Sequence, residues 1–193
     1  DREARLFRRA SLHFSMNFSK YKQTESLAKV LTVRSKIAFL ITYMYCASIH
    51  KVIAHKISKH NSTQLTKATA KVAYELRKPT DTLLFHSDQG SNYTSIEFRK
   101  YLKSINITQS FSNPEMPYDN SVMESFFGSF KREALYRYRF KTEKEFIQSI
   151  DTYMTFYNEK RPHSILMNQT PCKFEAHYYN IYKRNPDFQT EQL

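Results

Sequence analysis

Residues 82–111 read TLLFHSDQGSNYTSIEFRKYLKSINITQSF, and the order of elements in this stretch decides the fold. TLLFHSD (82–88) is a short apolar run halted by polar residues and Gly90, as expected of a central strand that delivers Asp88 at its C-terminal end. Thr94 then predicts the cap of a helix with Phe98, Leu102 and Ile105 as its apolar stripe. Ile107 to Phe111 reads as the next strand.

The flanking sequence extends the same alternation. IAFLITYMYCAS (37–48) is β-branched and aromatic, and KVIAHKIS (51–58) mixes apolar with polar residues, so the two predict a hairpin. AKVLTVR (28–34) alternates and predicts a short first strand before it. Asn61-Ser62-Thr63 supplies an N-cap for a helix over 63–77, with Leu65, Ala68, Val72 and Leu76 on one face, and Lys78-Pro79-Thr80 ends it. Downstream, Asn113 to Pro117 is a loop, and Asp119 or Asn120 caps a helix over 121–135 on which Val122, Phe126 and Phe130 turn together. Thr142 caps a further helix (143–158) carrying Phe146, Ile150, Tyr153 and Tyr157, and the remainder reads as loop and short helix. Hairpin, helix, strand, helix, strand, helix is the order of a mixed α/β domain with several parallel pairings.

Composition narrows the partner class. The 193 residues carry 30 Lys and Arg against 18 Asp and Glu, a net charge of +12. Residues 1–60 alone hold 12 Lys and Arg against Asp1, Glu3 and Glu25. That asymmetry fits a polyanionic partner such as nucleic acid, with a solvated basic face as the competing reading. The basic residues do not form one face of an amphipathic helix, and the longest apolar stretch, 37–48, is too short to span a bilayer, so no membrane role is expected. Cys46 and Cys172 lack metal-ligand spacing, which makes a reduced, cytoplasmic setting the default.

The candidate chemistry lies in two acids. Asp88 ends its strand, and Glu124 opens ESFFGSFKRE with 35 residues between the two acids. Two carboxylates brought together can hold a divalent metal beside a phosphodiester, and hard oxygen ligands suit Mg²⁺ or Mn²⁺. The competing readings are a turn residue for Asp88 and a capping-box partner of Asn120 or Ser121 for Glu124. Lys131, seven residues beyond Glu124, stands two turns along the same helix face, where it is either a phosphate contact or a solvated lysine.

HSDQGSNYTS, PYDNSVMESFFGSFKRE and FYNEKRPHSILMNQTP together resemble insertion-sequence transposases of the insertion-sequence-three family, in the second reading-frame product whose catalytic core is similar to retroviral integrases. The resemblance covers roughly residues 28–175. It implies a ribonuclease H-like fold, a mixed sheet flanked by helices, with an integrase core over 28–160. Residues 1–27 are then a basic arm or the remnant of an upstream region, and 161–193 a C-terminal extension. The implied activity is metal-dependent cleavage and strand transfer on double-stranded DNA, at a site of three acids and two metals. Asp88 and Glu124 match two of the metal-ligand positions. Asn92 falls where a residue lines the DNA groove, while Arg161 and His163 match a motif after the core, with backbone contact and helix-end packing both open. The family also implies a homo-multimer, a nucleoid location in a bacterium and an upstream-frame helix-turn-helix protein as partner.

The third acid is the departure. The family carries its first Asp on the first strand, in a segment with Trp, whereas this chain has no Trp and no Asp between Asp1 and Asp81. Counting back from the hairpin puts Lys29 at that position, and a lysine would repel Mg²⁺. Glu25 is the nearest acid and becomes the tentative third catalytic residue. Cys46, Glu115 and Met167 also stand where the family has Asp, Gly and Gly. Two readings therefore stay open: a DNA transposase, and a catalytically dead DNA-binding module derived from one. A ribonuclease H-like nuclease acting on RNA–DNA hybrids is disfavoured by FYNEKRPH and the downstream Thr170-Pro171.

Overall fold

The computed structural model describes residues 13–15, 40–46, 49–79, 83–112 and 121–184. Its strands are β1 (His13–Ser15), β2 (Leu40–Cys46), β3 (Lys51–Ser58), β4 (Leu83–Ser87) and β5 (Ile107–Phe111). The helices are α1 (Thr63–Arg77), the single turn α2 (Ser91–Thr94), α3 (Ile96–Ser104), α4 (Ser121–Phe130), α5 (Glu143–Glu159) and α6 (Pro171–Arg184). A π-helical turn, Lys131–Leu135, continues α4.

The five strands form one sheet in the order β3-β2-β1-β4-β5. β2 runs antiparallel to both β3 and β1, whereas β1, β4 and β5 run parallel. The predicted hairpin is the β2–β3 pair, closed through His50 in a left-handed conformation (φ 52°). The predicted strand–helix–strand unit is β4, α3 and β5.

Successive residues of β2 and β4 point to opposite faces, and each face is covered. On one side Met44, Ala54, Leu83 and Phe85 pack with Ala70 and Ala73 of α1 and with Tyr93, Phe98 and Leu102. On the other, Ile41, Tyr45 and Val52 pack with Met123, Phe126, Phe127 and Phe130 of α4 and with Phe146, Ile150, Tyr153 and Tyr157 of α5. A helix–sheet–helix sandwich results. Among the described strands β3 lies at an edge, and Asn158 of α5 covers part of it: its side chain accepts from Val52 N (3.0 Å) and donates to Val52 O (2.8 Å).

Several expectations need correction. The first strand that pairs with β2 and β4 is His13–Ser15; AKVLTVR, Lys29 and Glu25 lie outside the described residues. One Phe between two polar residues is too brief a period-two signal to read from sequence. α1 spans the predicted 63–77 and Ser62 caps it, but its buried residues are Thr66, Thr69, Ala70 and Ala73, while Val72 is exposed and Leu76 is 66% exposed. Small residues let the helix lie close to the sheet, and the Thr69 hydroxyl is satisfied by donating to Leu65 O. Ser95, not Thr94, caps α3, accepting from Phe98 N, whereas the Thr94 hydroxyl turns back to the α2 carbonyls. The C-terminal region holds a 14-residue helix rather than loop and short helix. Its start has a plain signal: Thr170 accepts from Lys173 N and Pro171 occupies the first helical position.

α6 is fastened by charge. Glu175 lies between Lys51 of β3 and Arg77 of α1. Burial alone would raise its carboxyl, but the Lys51 hydrogen bond and the Arg77 charge outweigh burial and hold it below its ordinary value. Phe174 and Leu166 pack beside Ile49 in the same corner.

Substitution at the two faces of α1 tests which one is packed. Ala73→Leu is expected to cost about 1–3 kcal/mol by overpacking. Leu76→Lys is expected to change stability by less than about 0.5 kcal/mol. Chemical denaturation of the two variants distinguishes the faces, and the reverse ranking would restore the Leu65–Ala68–Val72–Leu76 stripe.

Candidate functional site

The parallel strands β4 and β5 end side by side: Ser112 N donates to Ser87 O (2.8 Å), and the Gln89 side chain reaches Ser112 O (3.5 Å). Asp88 leaves the sheet at this C-terminal edge, where open α/β sheets place their ligands. Its Oδ1 accepts from Gly90 N at 3.0 Å, which fixes the carboxylate against the turn into α2. A Cβ built on Gly90 would stand 3.0 Å from that same oxygen, a tight contact that glycine avoids.

The surroundings of Asp88 are hydrogen-bonded and closely packed. The His86 ring lies between two β5-side hydroxyls, with Nδ1 3.1 Å from Ser110 Oγ and Nε2 3.1 Å from Ser112 Oγ. Tyr93 is fully buried, packed against Phe85 and Phe98. Burial and the charge of Asp88 push its hydroxyl well above the ordinary tyrosine value, so it stays neutral. Asn92 Nδ2 donates to Asn61 Oδ1 (2.5 Å), linking α2 to the start of α1.

Glu124 stands exposed in the first turn of α4, where a carboxylate also meets the positive end of the helix dipole. Its neighbours Met123, Phe126 and Phe127 are buried against the sheet, so the helix is fixed while the acid faces outward. Eight residues, 113–120, join Ser112 beside Asp88 to Ser121 at the head of α4. Lys131 opens the π-helical turn and is half-buried. Among the described residues, no three or more His, Cys, Asp or Glu side chains gather as a metal group.

Arg161 and His163 are brought together in a second constellation. Arg161 grips Glu133 of the π turn with two nitrogens (Nε–Oε2 3.0 Å, Nη2–Oε1 2.9 Å), and the Tyr153 hydroxyl donates to the same carboxylate (3.1 Å). Burial would raise Glu133, but Arg161 holds it below its ordinary value, and Glu133 in turn raises Arg161. His163 is buried, its ring edge-on to Tyr157 at 4.6 Å. Tyr157 continues inward to Tyr45 (hydroxyls 3.0 Å apart), whose hydroxyl also lies 3.0 Å from His50 Nδ1. Glu133, Tyr45 and His50 carry no sequence signal for this role. Glu133 and Arg161 are 28 residues apart and on different elements, so no helical spacing links them.

His50 and His163 are both held neutral. Burial, then the charge of His163, lowers His50 from 6.5 to about 4; burial, then Arg161, lowers His163. The unfolded chain therefore takes up these protons first, so the stability is complete above about pH 6.5 and is lost as the pH falls towards 4. Thermal melts at pH 7 and pH 5 are expected to differ by roughly 1–2 kcal/mol from this source. His50→Asn, which tolerates the left-handed backbone, is expected to remove most of the difference; an unchanged pH dependence would contradict it.

Comparison with known proteins places the chain among sequences of one kind. Two family models described as "Integrase core domain" match residues 31–117 and 105–171, the first containing Asp88 and the second Glu124. The chain is similar to the transposase for insertion sequence element IS904 of Lactococcus lactis, with 35% identity over 128 residues, 66% of this chain and 51% of that protein. It is also similar to an uncharacterized 31 kDa protein of insertion element IS600 of Shigella sonnei, 32% identical over 145 residues, 72% of this chain and 53% of that protein. The chain thus spans about half the length of these curated relatives. In fold it is similar to the catalytic core domain of the HTLV-2 integrase solved with magnesium, with a TM-score of 0.62 and 14% identity, covering 86% of this chain and 96% of that one. Among the described residues, no helix is long and apolar enough to cross a membrane.

Proposed function

Because the chain carries an integrase core like that of insertion-sequence-three transposases, we propose that it cuts and joins DNA phosphodiester bonds during transposition. The observation that carries this reading is the placement of Asp88 at the C-terminal edge of β4, its carboxylate set by the Gly90 N–H. Asp88 and Glu124 would hold Mg²⁺ or Mn²⁺, for which their hard oxygens are suited. A divalent cation held there would supply charge stabilisation for the oxygens of a phosphodiester displacement.

The chain's own residues divide the remaining work. Gly90 keeps the Asp88 carboxylate in place, and the buried Tyr93 holds α2 beneath it without competing for charge. Lys131 would neutralise DNA phosphate from the turn after α4, and Asn92, within α2, would line the DNA groove. Arg161 and His163 act beneath that surface: Arg161 locks the π turn through Glu133, and His163 fills the space against Tyr157. Glu25, ten residues beyond Ser15, is the acid the sequence offers for a third ligand and a second metal. The native assembly in this proposal is a multimer on double-stranded DNA, located at the bacterial nucleoid, with an upstream-frame helix-turn-helix protein reading the element ends.

Cleavage and strand transfer on terminal-repeat DNA with Mg²⁺ or Mn²⁺ tests the proposal. Asp88→Asn and Glu124→Gln each remove a ligand charge while nearly keeping shape, and each is expected to lower the rate by about 10²-fold or more. Equal background in wild type and both variants would remove the enzymatic reading. Salt-dependent DNA binding that persists in that case would establish the binding-module alternative, favoured by a described β1 without an acid.

A further inference from the structure

Between the π turn and α5 the chain reads YRYRFK (136–141), and its side chains separate into anchors and an outward strip. Ala134 and Leu135 are buried at one end. At the other, Phe140 packs edge-on to Phe146 (5.3 Å, 79°), and Lys141 N donates to Glu145 Oε2 (2.8 Å) beside the capping Thr142. The segment is therefore pinned at both ends. Tyr136 and Tyr138 nevertheless remain 56% and 58% exposed, and Arg137, Arg139 and Lys141 are exposed between and after them.

The nearby acids are already engaged. Glu133 is gripped by Arg161 and Tyr153, Glu143 pairs with Lys59 (2.8 Å), and Glu145 receives the Lys141 N–H. Among the described residues, no carboxylate pairs with Arg137, Arg139 or the Lys141 ammonium. A strip of three such cations on a chain of net charge +12 repels a second copy and fits a polyanion. Exposed aromatic rings alternating with those cations add a requirement for flat apolar faces. Duplex DNA hides its base faces in the stack, whereas unpaired DNA presents them.

We propose that Tyr136–Lys141 is a second nucleic-acid site that binds unpaired DNA, stacking bases on Tyr136 and Tyr138 while Arg137, Arg139 and Lys141 neutralise phosphates. The proposal rests on the DNA-processing reading above and deepens it, giving the chain a hold on the frayed or displaced strand that flanks a processed end. The strip shares no residue with Asp88 or Glu124, so its failure and that of the metal site separate cleanly.

Fluorescence anisotropy of the full chain with a labelled oligo(dT) and with a duplex of equal length, both in EDTA, tests it. Tyr136→Ala/Tyr138→Ala is expected to weaken oligo(dT) binding by about tenfold or more while changing duplex binding little. Tyr136→Phe/Tyr138→Phe keeps the rings and is expected to bind as wild type. Arg137→Gln/Arg139→Gln/Lys141→Gln is expected to flatten the salt dependence by roughly two in slope, at about 0.7 per phosphate for a single strand. Unchanged oligo(dT) affinity in the double Ala variant, or an equal loss with duplex, would overturn the proposal. Loss in the Phe variant equal to that in the Ala variant would overturn the stacking role. These residues are exposed, and matching melting temperatures would establish that each variant is folded.

Discussion

Tyr45 has no exposed surface, so its hydroxyl must be satisfied inside the protein, and the way it is satisfied ties the structure together. The hydroxyl lies against His50 in the β2–β3 turn and against Tyr157 of α5, while the ring packs on Phe126 of α4. Four elements thus meet at one side chain. α4 is the helix that presents Glu124, so the orientation of one candidate ligand depends on this buried contact. Phe126 in turn stacks parallel to Phe130 and meets Tyr157 edge-on at 4.9 Å, extending the constraint along the helix.

The two acids are positioned by different means. Asp88 is set by local chain geometry: a strand end, one hydrogen bond and a glycine whose missing Cβ leaves room for the carboxylate. Glu124 is set by long-range packing, with three buried neighbours fixing its helix against β2 and β3. Cation placement follows a similar division. Arg77, Lys51 and Arg161 are committed to carboxylates that fasten α6 and the π turn. Other cations, such as Arg137 and Arg139, remain exposed to solvent and hence to a polyanion. A basic chain of this kind separates structural charge from charge held for a partner.

Legibility in the sequence followed the range of the interaction. The β2–β3 hairpin, the Ser62 cap of α1, the Thr142 cap of α5 and the Phe146–Ile150–Tyr153–Tyr157 stripe all rest on near neighbours, and each was readable from spacing. The buried face of α1 was not, because Thr66, Thr69, Ala70 and Ala73 are small or polar and their burial reflects how closely the helix approaches the sheet. β1 escaped for the opposite reason: three residues carry too little pattern, and only pairing with Cys46 and Phe85 marks Phe14 as a strand residue. The strand end that carries Asp88 and the helix that carries Glu124 were legible from motif and element order. The Glu133–Arg161 clamp and the Tyr45–His50 contact were not, since both join distant residues of ordinary type. Met167, standing where the family has glycine, does adopt the left-handed conformation (φ 54°), so that departure carries a local backbone cost.

In the proposed reaction Asp88 and Glu124 would share one divalent cation. Anomalous diffraction from crystals of the chain equilibrated with Mn²⁺ tests it directly. A manganese peak within about 2.0–2.3 Å of carboxylate oxygens of both Asp88 and Glu124 is expected. Manganese bound elsewhere, with both carboxylates unligated at saturating metal, would contradict it.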